Sequence, residues 1–129
     1  MHRDIKPENI LMASNDEITT IKIVDFGLSK TFGPGETCKE PFGTLCYVAP
    51  EILLQKSYDK AVDMWSLGVV IHLMLSSTLP FDNDDDKEVA RKTIYEEVTF
   101  AHPAWETEVS EEAKDVVRSK CDQIIFNTM

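Results

Sequence analysis

The sequence predicts a mainly α-helical fold that carries one small β-hairpin and a long irregular loop, on three observations. Residues 61–75 are apolar on every face, the pattern of a buried helix rather than an amphipathic surface one. Ile21 and Ile23 alternate with Thr20 and Lys22 before Val24-Asp25-Phe26-Gly27, the period-two signature of a strand that stops at a glycine. Between these segments, residues 28–48 hold Gly33, Gly35, Gly43, Pro34 and Pro41 with no sustained period. A structureless loop of that length is uncommon in a compact domain and is usually functional, so it is expected to be either a regulatory segment or disordered.

In chain order, charged residues and Pro7 crowd the first nine positions, so the chain opens as a loop. Ile10-Leu11-Met12 is a short apolar run that enters a strand, and the polar turn 13–17 lets it pair with the second strand as a hairpin. Beyond Pro50 the pattern turns helical. Asp63 stands near the start of the apolar helix, and a carboxylate in apolar surroundings must be paired or hydrogen-bonded, so it is expected to hold something specific in place. The acidic run from Asp82 leads into a helix expected over Glu88 to Val98. The last helix begins at Ser110, a good N-cap, with Glu111 and Glu112 in the positively polarised first turn. Its apolar positions Ala113, Val116, Val117 and Cys121 keep helical spacing.

The 129 residues, 43% hydrophobic and 28% charged, have the composition of one ordinary domain. A formal charge of −10 repels phosphate backbones and excludes nonspecific nucleic-acid binding. The longest apolar stretch, Met64 to Leu75, is 12 residues, short of the roughly 20 that cross a bilayer. Met-His-Arg-Asp starts the chain with no apolar core behind it, so no secretory signal is read and an intracellular, cytoplasmic protein is expected. Cys38, Cys46 and Cys121 fit neither a disulfide framework nor a zinc knuckle, and are expected as reduced thiols. Asp82, Asp84 and Asp86 fall at positions 1, 3 and 5 of a calcium loop, but Lys87 and Thr93 occupy the positions that need Gly and Glu, so no such site is read.

The chemistry is concentrated at the start. His2-Arg3-Asp4-Ile5-Lys6-Pro7-Glu8-Asn9 puts an acid, a base and an amide carbonyl on one loop, and Asp25-Phe26-Gly27 follows Asn9 after 16 residues. Two acids and an Asn on adjacent loops suit a hydroxyl nucleophile beside Mg2+, a hard cation that takes oxygen ligands and few protein carboxylates. With Ala49-Pro50-Glu51 downstream, the three segments occur in the order of the protein-kinase signature set. The sequence resembles a eukaryotic protein kinase. The likeness continues to about residue 120 through Gly43-Thr44 before Tyr47, Asp63-Met64-Trp65-Ser66-Leu67-Gly68, Pro80-Phe81, and Trp105 ahead of Ser110-Glu111-Glu112-Ala113-Lys114-Asp115. This combination is similar to calcium/calmodulin-dependent and calcium-dependent kinases.

The resemblance implies the mostly helical C-terminal lobe of a kinase, with residues 28–48 as activation loop. Asp4 would orient the substrate hydroxyl and accept its proton, Lys6 would neutralise the transferring phosphate, and Asn9 and Asp25 would hold Mg2+ on the ATP phosphates. Leu11 would floor the adenine pocket. Glu8, grouped with the ATP-site residues, would meet a basic residue of a peptide substrate. Lys6 with Thr44 resembles Ser/Thr rather than Tyr kinases. Asp63 would support the catalytic loop, and Glu51 would be structural. Arg3 implies an anionic partner on the activation loop. Three residues before the Gly-Thr pair stands Glu40, which would substitute for a phosphate; Thr37 is a rival modification site, and Glu40 as a mere solvated charge is the third reading.

The likeness has limits. The 129 residues hold no Gly-rich loop, no Val-Ala-x-Lys strand and no helix with the paired Glu, so residues 1–120 are expected to be a partial domain and 121–129 a divergent tail. Glu51 lacks the Arg that the family places downstream. Leu45 and Leu79 stand where proline is usual, and Ser77 where glycine is common. Two functions compete: part of an active Ser/Thr kinase acting on protein or basic peptide substrates, or a catalytically incompetent binding or decoy module. Calcium or calmodulin control would act only through segments outside this chain.

Overall fold

Pro7 opens a single 3-10 turn, Pro7–Asn9, because proline at a first helical position gives up an N–H that has no partner there. In this computed structural model, which describes residues 1–16 and 19–121, β1 (Ile10–Met12) follows at once and pairs antiparallel with β2 (Ile21–Ile23). Ile10 lies opposite Ile23 and Met12 opposite Ile21, the hairpin that the sequence predicts. The ladder extends past both ends, from the Ala13 N–H to the Thr20 carbonyl and from the Val24 N–H to the Asn9 carbonyl, each at 2.9 Å. The second of these bonds ties the residue before Asp25 to Asn9. Leu11, Met12, Ile21 and Ile23 are exposed, since two strands form one ladder without a layer over either face among the described residues.

Residues 24–44 carry neither helix nor strand; an isolated bridge joins Cys38 to Tyr58. A 3-10 turn, Leu45–Tyr47, then leads into α1 (Pro50–Leu53), which again starts on a proline. The central element is α2 (Ala61–Ser76). It ends where Ser77 takes a left-handed φ of 59° and returns its N–H to the Leu73 carbonyl at 2.8 Å, the position where glycine is common.

Burial on every face of α2 is not observed. Val62, Trp65, Val69, Val70 and His72 are buried, whereas Met64, Met74 and Leu75 are exposed, Met74 at 76%. The elements packed on α2 include α4 (Ala104–Thr107), α5 (Glu111–Lys120) and the 45–47 turn, and they leave the positions of Met64, Met74 and Leu75 uncovered. Trp65 stacks on Phe81 with centroids 6.0 Å apart, and Trp105 and Val117 complete this core. Gly68 permits the approach of α5: a Cβ there would lie 2.7 Å from both the Cys121 Sγ and the Lys120 Cβ. Cys121, the first residue of the expected tail, is therefore part of the core; residues 122–129 lie outside the described ones.

The helix expected over Glu88 to Val98 is α3 (Asp86–Tyr95). It starts early because the Asp85 carboxylate accepts the Lys87 N–H at 2.9 Å, and it stops early because Glu96 is extended. Ser110 caps α5 as predicted, its Oγ accepting the Ala113 N–H at 3.3 Å. The three cysteines are free thiols. Among the described residues no helix is long and apolar enough to cross a membrane.

Candidate active site

The loop that opens the chain is held from beneath by α2. The Asp63 carboxylate accepts the backbone N–H of His2 at 2.7 Å and of Arg3 at 2.9 Å, two charge-assisted bonds on one acceptor. Arg3 sits at φ 72°, a conformation that a bulky residue keeps only where its surroundings enforce it. His2 adds a second restraint. Its Nδ1 accepts the Asp4 N–H at 3.1 Å, which places the ring proton on Nε2, facing the Val24 carbonyl at 2.9 Å. One buried ring thus connects the loop to the end of β2.

Asp4 is surrounded by partners. Thr44 Oγ1 donates to Asp4 Oδ1 at 3.0 Å, Lys6 Nζ donates to Thr44 Oγ1 at 3.1 Å, and Lys6 Nζ lies 3.5 Å from Asp4 Oδ2. Asn9 Nδ2 donates to the Asp4 carbonyl at 2.8 Å and reaches Asp4 Oδ2 at 3.4 Å. Gly43 makes this approach of the 42–45 segment feasible. Its φ is +115°, and a Cβ would come within 2.9 Å of Val48 Cγ2 and 3.1 Å of the Arg3 carbonyl. Ser66 Oγ on α2 donates to the Tyr47 carbonyl at 2.7 Å and fixes the far end of that segment.

Asp25 is exposed at φ 61°, with its Oδ1 accepting the Gly27 N–H at 3.3 Å. Phe26 meets His2 edge-on with centroids 4.9 Å apart. The donor set fits Mg2+. The Asn9 amide nitrogen is committed to Asp4, which leaves its carbonyl oxygen to act as a ligand, and Asp25 keeps a free carboxylate oxygen. Among the described residues no three His, Cys, Asp or Glu side chains group around a metal position. Leu11 is exposed on the hairpin beside this site, and Glu8 is exposed at the loop. Burial, then the Glu8 charge, pushes the Tyr47 hydroxyl above its ordinary range.

Arg3 carries the loop's link to the irregular segment. Its Nη1 pairs with Glu40 Oε2 at 3.2 Å and reaches Cys38 Sγ at 3.6 Å, its Nε donates to the Leu28 carbonyl at 2.5 Å, and the guanidinium lies 4.3 Å from the Phe42 ring centre. Hydrogen bonding from Arg3 holds the Glu40 carboxyl below its ordinary value. Thr37 is not brought to Arg3; it is exposed and lines an open depression with Phe32, Pro34, Glu36, Asp59 and Lys60. Glu51 is also apart from the site, half-buried on α1, where burial pushes its carboxyl upward.

His2, Cys38, Phe42 and Tyr58 belong to this network and are not singled out by sequence reading. His2 adjoins the acid of a motif and had a local signal. The pairing of Cys38 with Tyr58 spans 20 residues without any periodic pattern and had none.

A helical body, an Asp-x-Lys-x-x-Asn loop resting on it and an Asp-Phe-Gly turn beside that loop are the parts of a protein kinase catalytic lobe. The match of known families agrees: the model described as "Protein kinase domain" covers residues 1–125, and the chain belongs to the protein kinase family. It is 48% identical over 118 residues to a protein named "Probable myosin light chain kinase" from Dictyostelium discoideum, with 92% of this chain and 34% of that protein covered. It is 46% identical to calcium/calmodulin-dependent protein kinase type 1 of Macrobrachium nipponense, covering 92% of this chain and 34% of the relative. It is 42% identical to calcium-dependent protein kinase 11 of Oryza sativa subsp. japonica, covering 92% and 20%. The chain therefore spans about a third or less of the length of these relatives.

Proposed function

We propose that the chain is the catalytic-loop part of a Ser/Thr protein kinase, a partial domain that runs past residue 120 to include Cys121. The reading is carried by one observation, the contact of Thr44 with both Asp4 and Lys6, at 3.0 and 3.1 Å. A threonine at this place, bonded to both Asp4 and Lys6, is the pairing that resembles Ser/Thr rather than Tyr kinases. Asp4 orients the substrate hydroxyl and accepts its proton as it attacks. Lys6 places a positive charge beside the transferring group, and Thr44 keeps Lys6 and Asp4 in register. Asn9 and Asp25 would hold Mg2+, and Leu11 would lie under the adenine of ATP. Bound ATP with Mg2+ supplies the phosphoryl group and neutralises charge as it transfers. Arg3 and Glu40 hold the loop from the activation-segment side, with Thr37 as the alternative modification site; Asp63 and Glu51 serve as structural supports.

Glu8 and the acid run from Asp82, with the net charge of −10, favour basic peptide substrates. The relatives' names suggest calcium or calmodulin control through segments outside this chain. Free thiols suit a reducing, intracellular compartment.

In a domain completed with an ATP-binding lobe, Asp4→Asn is expected to cost 100-fold or more in phosphotransfer to a basic Ser peptide, in the range of general base catalysis, about 10²–10⁴. Undiminished transfer refutes the assignment. A second reading, a binding or decoy module without phosphotransfer, is favoured by the exposed apolar hairpin residues Leu11, Met12, Ile21, Ile23 and Phe26. Titration calorimetry of this chain with Mg2+ and ATP distinguishes the two for the isolated chain. No binding is expected, and tight binding would exclude catalytic incompetence.

A further inference from the structure

We propose that Tyr58 is a positioning residue for the catalytic loop, acting on Arg3 directly and through Glu40. Its effect on catalysis rests on the kinase reading above; its geometry does not. The Arg3 side chain is 7% exposed but that of Glu40 is 60% exposed, and a carboxylate open to water is not held in one arrangement by its ion pair alone. What fixes it must act on its main chain. Residues 24–44 contain no helix or strand that could do so. Tyr58, 3% exposed, makes three bonds to this segment. Its N–H donates to the Cys38 carbonyl at 2.9 Å, its carbonyl accepts the Cys38 N–H at 2.8 Å, and its Oη donates to the Glu40 carbonyl at 2.5 Å. The backbone is therefore held on both sides of Lys39, and the Glu40 carboxylate is delivered to Arg3 Nη1. Arg3 precedes Asp4 and stands at the strained φ of 72°. Tyr58 touches no reacting group; its influence reaches Arg3 through the Glu40 carbonyl and carboxylate and through its own hydroxyl, which also bonds the Arg3 guanidinium.

Tyr58→Phe removes the Oη alone and keeps the buried ring. In the full 129-residue chain, nitrogen-15 NMR is expected to show hydrogen exchange at least tenfold faster at the Arg3 side-chain N–H and at the Cys38 amide, which donates to the Tyr58 carbonyl. The α2 amides from Trp65 to His72 should not change. Glu40→Gln is expected to release the Arg3 N–H in part, and the double variant to fall short of the sum of the two single effects, because both act on one guanidinium. Unchanged Arg3 exchange in Tyr58→Phe overturns the proposal, as do additive effects in the double variant. Loss of protection throughout α2 overturns it too, because Tyr58 would then be a packing residue. In a completed kinase domain the same substitution should lower kcat with the KM for ATP unchanged. If the NMR coupling holds and that domain transfers no phosphate, the kinase reading fails and the positioning role stands.

Discussion

Asp63→Asn tests the support of the catalytic loop directly. The Asp63 carboxylate accepts two backbone N–H groups, from His2 at 2.7 Å and Arg3 at 2.9 Å. An Asn of the same shape offers one carbonyl oxygen and turns an NH2 toward the other donor. One backbone N–H is then left without an acceptor, a cost of about 1–3 kcal/mol, and the surviving bond loses its charge assistance, about another 1 kcal/mol. The expected loss is about 2–4 kcal/mol, large against a whole-domain stability of roughly 5–15 kcal/mol. Urea unfolding followed by the fluorescence of the buried Trp65 and Trp105 measures it, with exposed Asp84→Asn as a surface control expected within about 0.5 kcal/mol. Hydrogen exchange at the Arg3 amide should rise in Asp63→Asn beyond the global change, because the strained φ of 72° has lost its restraint. A stability loss no larger than that of the control would refute the argument that this carboxylate holds the loop.

In a completed kinase domain, Glu40→Ala is expected to reduce phosphotransfer several-fold and Thr37→Ala to leave it unchanged, since Glu40 and not Thr37 meets Arg3; steady-state kinetics on both variants decides, and the reverse ranking would reject the substitution of Glu40 for a phosphate. Burial raises the Glu51 carboxyl above its ordinary 4.5, with the Asp59 charge adding to it. The folded chain binds that proton more tightly than the unfolded one, so the associated stability is fully present below about pH 4.5 and is lost as pH rises through the folded value. Glu51→Gln should flatten urea midpoints between about pH 4 and 8 and raise the one at pH 7. Gly68→Ala gains about 1 kcal/mol of helix propensity but places a Cβ 2.7 Å from Lys120 Cβ and Cys121 Sγ. Overpacking of about 1–3 kcal/mol exceeds that gain, so thermal melting should fall, and iodoacetamide should reach Cys121, whose thiol burial pushes up to about 12, faster than in the parent.

Elements set by local rules could be read before any coordinates: the hairpin from alternation at Ile21 and Ile23, and the start of α5 from the Ser110 cap. Asp63 could be read as well, because a carboxylate within an apolar run must find donors. Features requiring the tertiary arrangement could not. The exposure of Met64 and Met74 depends on which side of α2 its neighbours occupy, and an apolar segment carries no mark of how much of it will be covered. The ends of α3 moved because Asp85 turned from a solvated acid into a cap and Glu96 became extended. At the site, the loop acids were legible from motif spacing, while Tyr58 and Cys38 were not, because a bridge between two irregular segments leaves no periodic trace.

The strained residues explain why this site draws on so many distant segments. Arg3 at φ 72° and Asp25 at φ 61° precede or supply the acids of the proposed chemistry, and such conformations persist only where surrounding bonds over-determine them. For Arg3 the restraints come from α2 through Asp63, from Leu28 just past the Asp-Phe-Gly turn, and from Glu40 in the irregular segment. For Asp25 they come from the Asn9–Val24 backbone bond and from the Gly27 N–H. His2 connects the two sets, with one ring nitrogen on Asp4 and the other on the Val24 carbonyl. A disturbance in the exposed 37–44 segment therefore has a physical route to Asp4 that crosses no substrate. On the positioning role proposed for Tyr58, the same segment, bearing the Glu40 charge, should release Arg3 without unfolding α2. Regulation at such a place needs only one group that competes for the Arg3 guanidinium.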